Sequence, residues 1–70
     1  MINNKSIGRK LKELRNSRDL KQSELAELVG LSRPAISNIE SGKRSLTLST
    51  LKRFCKVYGI DILIRCLKII

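Results

Sequence analysis

The chain has 70 residues, enough for one domain with a modest core, and a deep catalytic cleft with a lid is not expected at this size. Its net charge of +9 and pI near 10.3 favour a polyanionic partner. Aromatics at 3% leave little to stack on unpaired bases, so duplex nucleic acid leads, with anionic lipid or a merely soluble basic surface as the competing readings.

Residues 1 to 4 are expected to fray. From Ser6, a candidate N-cap, the apolar positions Ile7, Leu11 and Leu14 recur at helical spacing, with Arg9, Lys10, Lys12, Glu13 and Arg15 on the other faces. This first amphipathic helix should end in the polar stretch from Asn16 to Asp19. The segment "KQSELAELVG" predicts a second, short helix with Leu25, Leu28 and Val29 on one side and the small Ala26 at a helix crossing. Gly30 suits the left-handed position that stops it.

Ser32 has N-cap chemistry for a third helix, and Pro34 falls in its first turn, where a missing N–H does no harm. Ile36 and Ile39 should face the core, and "ESGKRS" closes the helix at Gly42 with Lys43 and Arg44 just beyond. Thr47 can cap a fourth helix carrying Leu48, Leu51, Phe54, Cys55 and Tyr58, stopped by Gly59. The tail "DILIRCLKII" is ambiguous. Asp61, Arg65 and Lys68 fall on one stripe of a possible fifth helix, whereas four isoleucines in ten residues after a helix-stopping glycine favour an extended segment.

Two short helices joined by a tight glycine turn describe a helix-turn-helix, here with a second helix that is apolar inside and small-polar and cationic outside. The major groove admits one helix and displays a readable pattern of donors and acceptors. Arg33 can offer a donor fork to guanine O6 and N7. Ser32, Ser37 and Asn38 are short donor-acceptor groups, and Pro34 can touch a thymine methyl. The ordinary alternative for each is a solvated surface residue.

With no histidine there is neither the usual general base nor the commonest metal ligand. Cys55 and Cys66 lack the close spacing of a zinc or redox motif and read as reduced core thiols. No cofactor, no metal and no enzymatic activity are therefore expected. The start "MINNKSIG" lacks a signal peptide's apolar core and no stretch is long enough to span a bilayer, so the expected location is cytoplasmic, without a membrane partner.

Residues 7 to 60 resemble the lambda-repressor-like, Cro/C1-type (Xre) helix-turn-helix family, through "QSELAELVGLS" with Ala26 and Gly30 in place and "ISNIESGKR" with Glu40 and Gly42 in place. The resemblance implies an all-α bundle of four to five helices over residues 1–60 that binds double-stranded DNA. It implies a base-reading position at Arg33, phosphate contacts at Lys43 and Arg44, and a glutamine, Gln22, that braces the DNA backbone and the recognition helix. It also pairs Glu40 with Arg15 as a structural ion pair rather than a catalytic acid. One departure stands out. Lys21 occupies the N-cap place of the second helix, where the family often has Ser or Thr, so a cap bond is lost while a phosphate contact is gained.

The tail resembles the ending of HipB-type antitoxins, which implies a short C-terminal β-strand in residues 61–70, antiparallel to its copy in a homodimer from about Ile62 to Leu67. Ile62, Ile64 and Cys66 would lie in that interface. The reading is then an autoregulating antitoxin that represses from a pseudo-palindromic operator and binds a kinase-like toxin. The alternative is a restriction-modification controller protein or a small phage or mobile-element repressor. No ligand-sensing domain accompanies these elements, so concentration, dimerisation or a protein partner is expected to regulate the protein.

Overall fold

A computed structural model describes residues 4–59. They form four helices, α1 (Asn4–Ser17), α2 (Gln22–Val29), α3 (Arg33–Glu40) and α4 (Leu48–Tyr58). The strand expected between Ile62 and Leu67, and with it Ile62, Ile64 and Cys66, lies outside the described residues.

Each helix contributes at least one side chain to a single apolar cluster. Ile7 and Leu11 come from α1, Leu25, Ala26 and Val29 from α2, Ile36 and Ile39 from α3, and Phe54 and Tyr58 from α4. Full burial of side chains such as Leu11, Leu25, Ile36, Ile39 and Phe54 stabilises by about 2 kcal/mol each relative to exposure. The recognition candidate α3 packs against both α1 and α2, and α2 packs also against α4.

Local chemistry sets the helix ends. Ser32 Oγ accepts from the Ala35 N–H at 3.2 Å, with Pro34 in the first turn of α3. Thr47 Oγ1 accepts from the Thr50 N–H in the same way, also at 3.2 Å. At α2 the cap runs backwards. The Lys21 ammonium has no lone pair to offer, and Glu24 Oε1 instead accepts from the Lys21 backbone N–H at 2.9 Å. That leaves half a capping box. Gly30 closes α2 at φ 72°, a left-handed conformation that a Cβ would strain, and Leu31 N–H reaches back to Ala26 O at 2.9 Å.

Four expectations need correction. Ser6 does not cap α1 and residue 4 is not frayed, because the helix begins at Asn4 and Ser6 lies inside its first turn. The Asn4 side chain donates to Ser45 Oγ at 3.3 Å, and Gly42 turns the chain back against Lys5. These contacts carry the helix past the position that its own sequence suggests for a cap. Leu28 is 59% exposed and so does not share the inner side with Leu25 and Val29. Leu48 is likewise 66% exposed.

Candidate nucleic-acid interface

The turn at Gly30 swings α3 across α2 and places its N-terminal residues at the surface. Arg33 and Pro34, the first two residues of α3, are exposed, as is Asn38, while Ser37 is half-buried. The opposite side holds Ala35, Ile36, Ile39 and Glu40 in the interior. Inner and outer residues alternate as helical periodicity demands. Ser32 spends its oxygen on the cap and keeps its hydroxyl proton for an external acceptor.

Lys21 is exposed at the start of α2, and Lys43 and Arg44 are exposed beyond α3. The loop carrying the last two is closed by one carbonyl. Asn38 O accepts from the Lys43 N–H at 2.9 Å, the Arg44 N–H at 3.2 Å and Ser41 Oγ at 3.2 Å. That fixes where both cations leave the end of α3. Arg9, Lys10 and Lys12 are exposed on α1, with Lys10 3.7 Å from Glu13.

Behind α3 a buried charge pair connects to the surface. Arg15 Nε donates to Glu40 Oε2 at 2.8 Å and Arg15 Nη2 to Glu40 Oε1 at 3.2 Å, the two residues being 9% and 7% exposed. Arg15 Nη1 donates to Leu20 O at 2.7 Å, in the turn between α1 and α2. Glu40 Oε1 takes a further bond from Gln22 Nε2 at 3.0 Å, and Gln22 Oε1 accepts from Arg33 Nη1 at 3.2 Å. Four side chains from three helices thus meet in one chain of bonds. Arg33 gives up one N–H to the brace and retains the other donors of its fork.

The field of this pair reaches α4. Burial pushes the Tyr58 hydroxyl from 10.0 up to about 12, Glu40 adds to the rise, and Arg15 and Arg18 oppose it. The hydroxyl is buried with no hydrogen-bond partner. Arg18 donates from Nη2 to Tyr58 O at 3.2 Å and sits 5.3 Å from the ring centroid, which ties the end of α1 to the end of α4.

Several positioning residues differ in how far the sequence pattern signals them. Arg53 reaches from α4 to the α2 carbonyls of Val29 at 3.4 Å and Gly30 at 3.2 Å, partners 24 and 23 residues away that no local pattern reveals. Gly8 is buried where α1 crosses α3, and an added Cβ would lie 2.5 Å from Glu40 O. A glycine inside an amphipathic helix signals such close approach. Glu24, three residues after Lys21, was legible as the far half of a capping box.

The chain is similar in sequence to known proteins. The helix-turn-helix family profile matches residues 11–64. The HTH-type transcriptional regulator PuuR of Escherichia coli is 46% identical over 55 residues, 79% of this chain and 30% of that protein. The ImmF control region 10 kDa protein of Bacillus phage phi105 is 34% identical over 62 residues, 89% of this chain and 69% of that protein. Antitoxin PezA of Streptococcus pneumoniae is 35% identical over 55 residues, 79% of this chain and 35% of its own length. The chain therefore spans about a third of PuuR and PezA and most of the phage protein. Among the described residues no helix is long and apolar enough to cross a membrane. With α2, the glycine turn and α3 inside the matched segment, the protein belongs to the Cro/C1-type helix-turn-helix family of DNA-binding transcriptional regulators.

Proposed function

We propose that the protein is a sequence-specific repressor that lays α3 in the major groove as one half of a two-fold dimer on a pseudo-palindromic operator. The observation that carries this reading is Arg33, exposed at the head of α3 and braced from behind through Gln22. A braced guanidinium fork suits guanine O6 and N7, and Pro34 beside it suits a thymine methyl. Ser32, Ser37 and Asn38 supply shorter base contacts. Lys21, Gln22, Lys43 and Arg44 hold phosphates and set the register.

One recognition helix reads only a few base pairs, so two copies about one helical turn apart are needed for a unique site. Residues 61–70 supply the dimer contact in this reading, through Ile62, Ile64 and Cys66. Footprinting on an operator selected from randomised duplexes tests it. Two protected half-sites related by a dyad are expected, and a single half-site held tightly by a monomer would refute the dimer. Three phosphate-binding cations per subunit predict a slope of log affinity against log salt of about −5.

The biological setting has two candidates. The HipB-like ending, with an antitoxin among the relatives, favours an autoregulating antitoxin with a kinase-like toxin partner. The phage control-region relative, matched over most of its length, favours a phage or mobile-element repressor. Expression of the neighbouring gene decides between them. Growth arrest relieved by this chain, through a complex that also binds the operator, supports the antitoxin. A neighbour without toxicity supports the phage-type repressor.

A further inference from the structure

A glutamine amide has two ends of almost equal size and opposite hydrogen-bonding sense, so an unanchored Gln22 would present either oxygen or nitrogen to the head of α3. Its partner on the other side removes that freedom. Glu40 accepts from Arg15 through both carboxylate oxygens, at 2.8 and 3.2 Å, in the interior. A carboxylate only accepts. Gln22 must therefore turn Nε2 towards it, at 3.0 Å, and Oε1 towards Arg33, at 3.2 Å. Reversing the amide would set two acceptors against each other at Glu40 and two donors against each other at Arg33.

We propose that Glu40 is a positioning residue for base selection: by fixing the direction of the Gln22 amide, it keeps an acceptor facing Arg33, orders the guanidinium fork before binding and so sharpens discrimination in favour of guanine. This rests on the reading that Arg33 contacts a base. The relay begins deep in the fold, because Arg15 is itself anchored to Leu20 O at 2.7 Å, and it ends at the exposed guanidinium. Both of its terminal bonds are charge-assisted, which strengthens the directional preference along the amide. A fork ordered before binding loses less freedom on contact, so more of its interaction appears as discrimination.

The test measures discrimination between the selected operator and the same duplex with the Arg33-facing guanine changed to adenine. Arg33→Ala locates that base pair and removes its discrimination, about tenfold or more in the wild type. Glu40→Gln and Gln22→Met should each cut the ratio to about threefold. The double variant should be no worse than either single, since both break the same path. Gln22→Met leaves the Arg15–Glu40 pair intact, so its melting temperature should stay near wild type while discrimination falls.

Full discrimination in folded Glu40→Gln, or additive losses in the double variant, would overturn the relay. If Arg33→Ala leaves the ratio unchanged, base reading through Arg33 fails first and the relay fails with it. Where Glu40→Gln is too unstable to assay, the wild-type protein answers directly. One Gln22 side-chain N–H should be protected from solvent exchange by the carboxylate, and a freely exchanging Gln22 amide would overturn the proposal.

Discussion

Where α3 crosses α1, Gly8 brings the two backbones together and the Arg15–Glu40 pair lies buried beside the crossing. Where α2 meets α4, the contact consists of apolar side chains, with Arg53 reaching across to the carbonyls that end α2. The first junction is short-range and directional, the second forgiving in shape and closed by one long side chain. In the proposed reading, the helix that presents a few groups to a groove is thus held rigidly from behind, whereas the turn that delivers it is secured from the side. Tolerance to substitution should differ accordingly.

The largest effect should come from the buried pair. Arg15→Ala or Glu40→Ala leaves a buried charge without its counter-ion and should cost about 3–5 kcal/mol in urea denaturation. Together they should cost little more than either alone, because the second change removes the orphaned charge. Additive losses would show that the two sites are energetically independent.

Gly8→Ala should follow at about 3 kcal/mol, since the methyl meets the backbone carbonyls of Ile39 and Glu40, which cannot swing aside. A near-neutral result would mean that the α1–α3 crossing adjusts as easily as the α2–α4 contact. The comparison between the two junctions would then fail.

Alkaline pH probes the end of α4 that lies in the field of the pair. With the Tyr58 hydroxyl raised from 10.0 to about 12, the folded state holds its proton more tightly than the unfolded chain. The associated stability is fully present below pH 10 and is lost as pH rises through about 12, by up to about 2–3 kcal/mol. Tyr58→Phe should abolish that part of the alkaline loss and be close to neutral at pH 7, because the hydroxyl it removes has no hydrogen-bond partner. An unchanged alkaline profile in Tyr58→Phe would assign the loss to other groups.

Arg53→Ala should be the mildest, about 1 kcal/mol, as water replaces an exposed guanidinium at the carbonyls of Val29 and Gly30. Its loss should lower thermal stability and weaken cognate and random DNA alike. A selective loss on the operator alone would place Arg53 in base selection.

The features of α3 that were legible in the sequence are those decided within a few residues: Ser32 as cap, Pro34 in the first turn, Ile36 and Ile39 facing inward, and Gly30 and Gly42 at the ends. What escaped depends on the direction of the core or on distant partners. In α2 the buried arc is Leu25, Ala26 and Val29, and Leu28 falls roughly 100° from its centre, although it is three residues from Leu25. Leu48 stands at the first residue of α4, past the rim of the core. The start of α1 was misplaced because Ser45 and Gly42, some 40 residues on, hold Asn4 and Lys5 in the helix. The bonds from Arg15 to Leu20 O and from Gln22 to Glu40 escaped for the same reason, although the family resemblance implied the Arg15–Glu40 pair and the Gln22 brace that they join.

The account stands on Arg33 reading a base while Lys43 only positions the protein, and a paired measurement tests that division directly. Affinities of Arg33→Ala and Lys43→Ala would be measured on the selected operator and on a random duplex at fixed salt. Arg33→Ala should lose about 1–3 kcal/mol on the operator and little on random DNA, whereas Lys43→Ala should weaken both by similar factors. Equal losses on the two duplexes for Arg33→Ala would contradict the account.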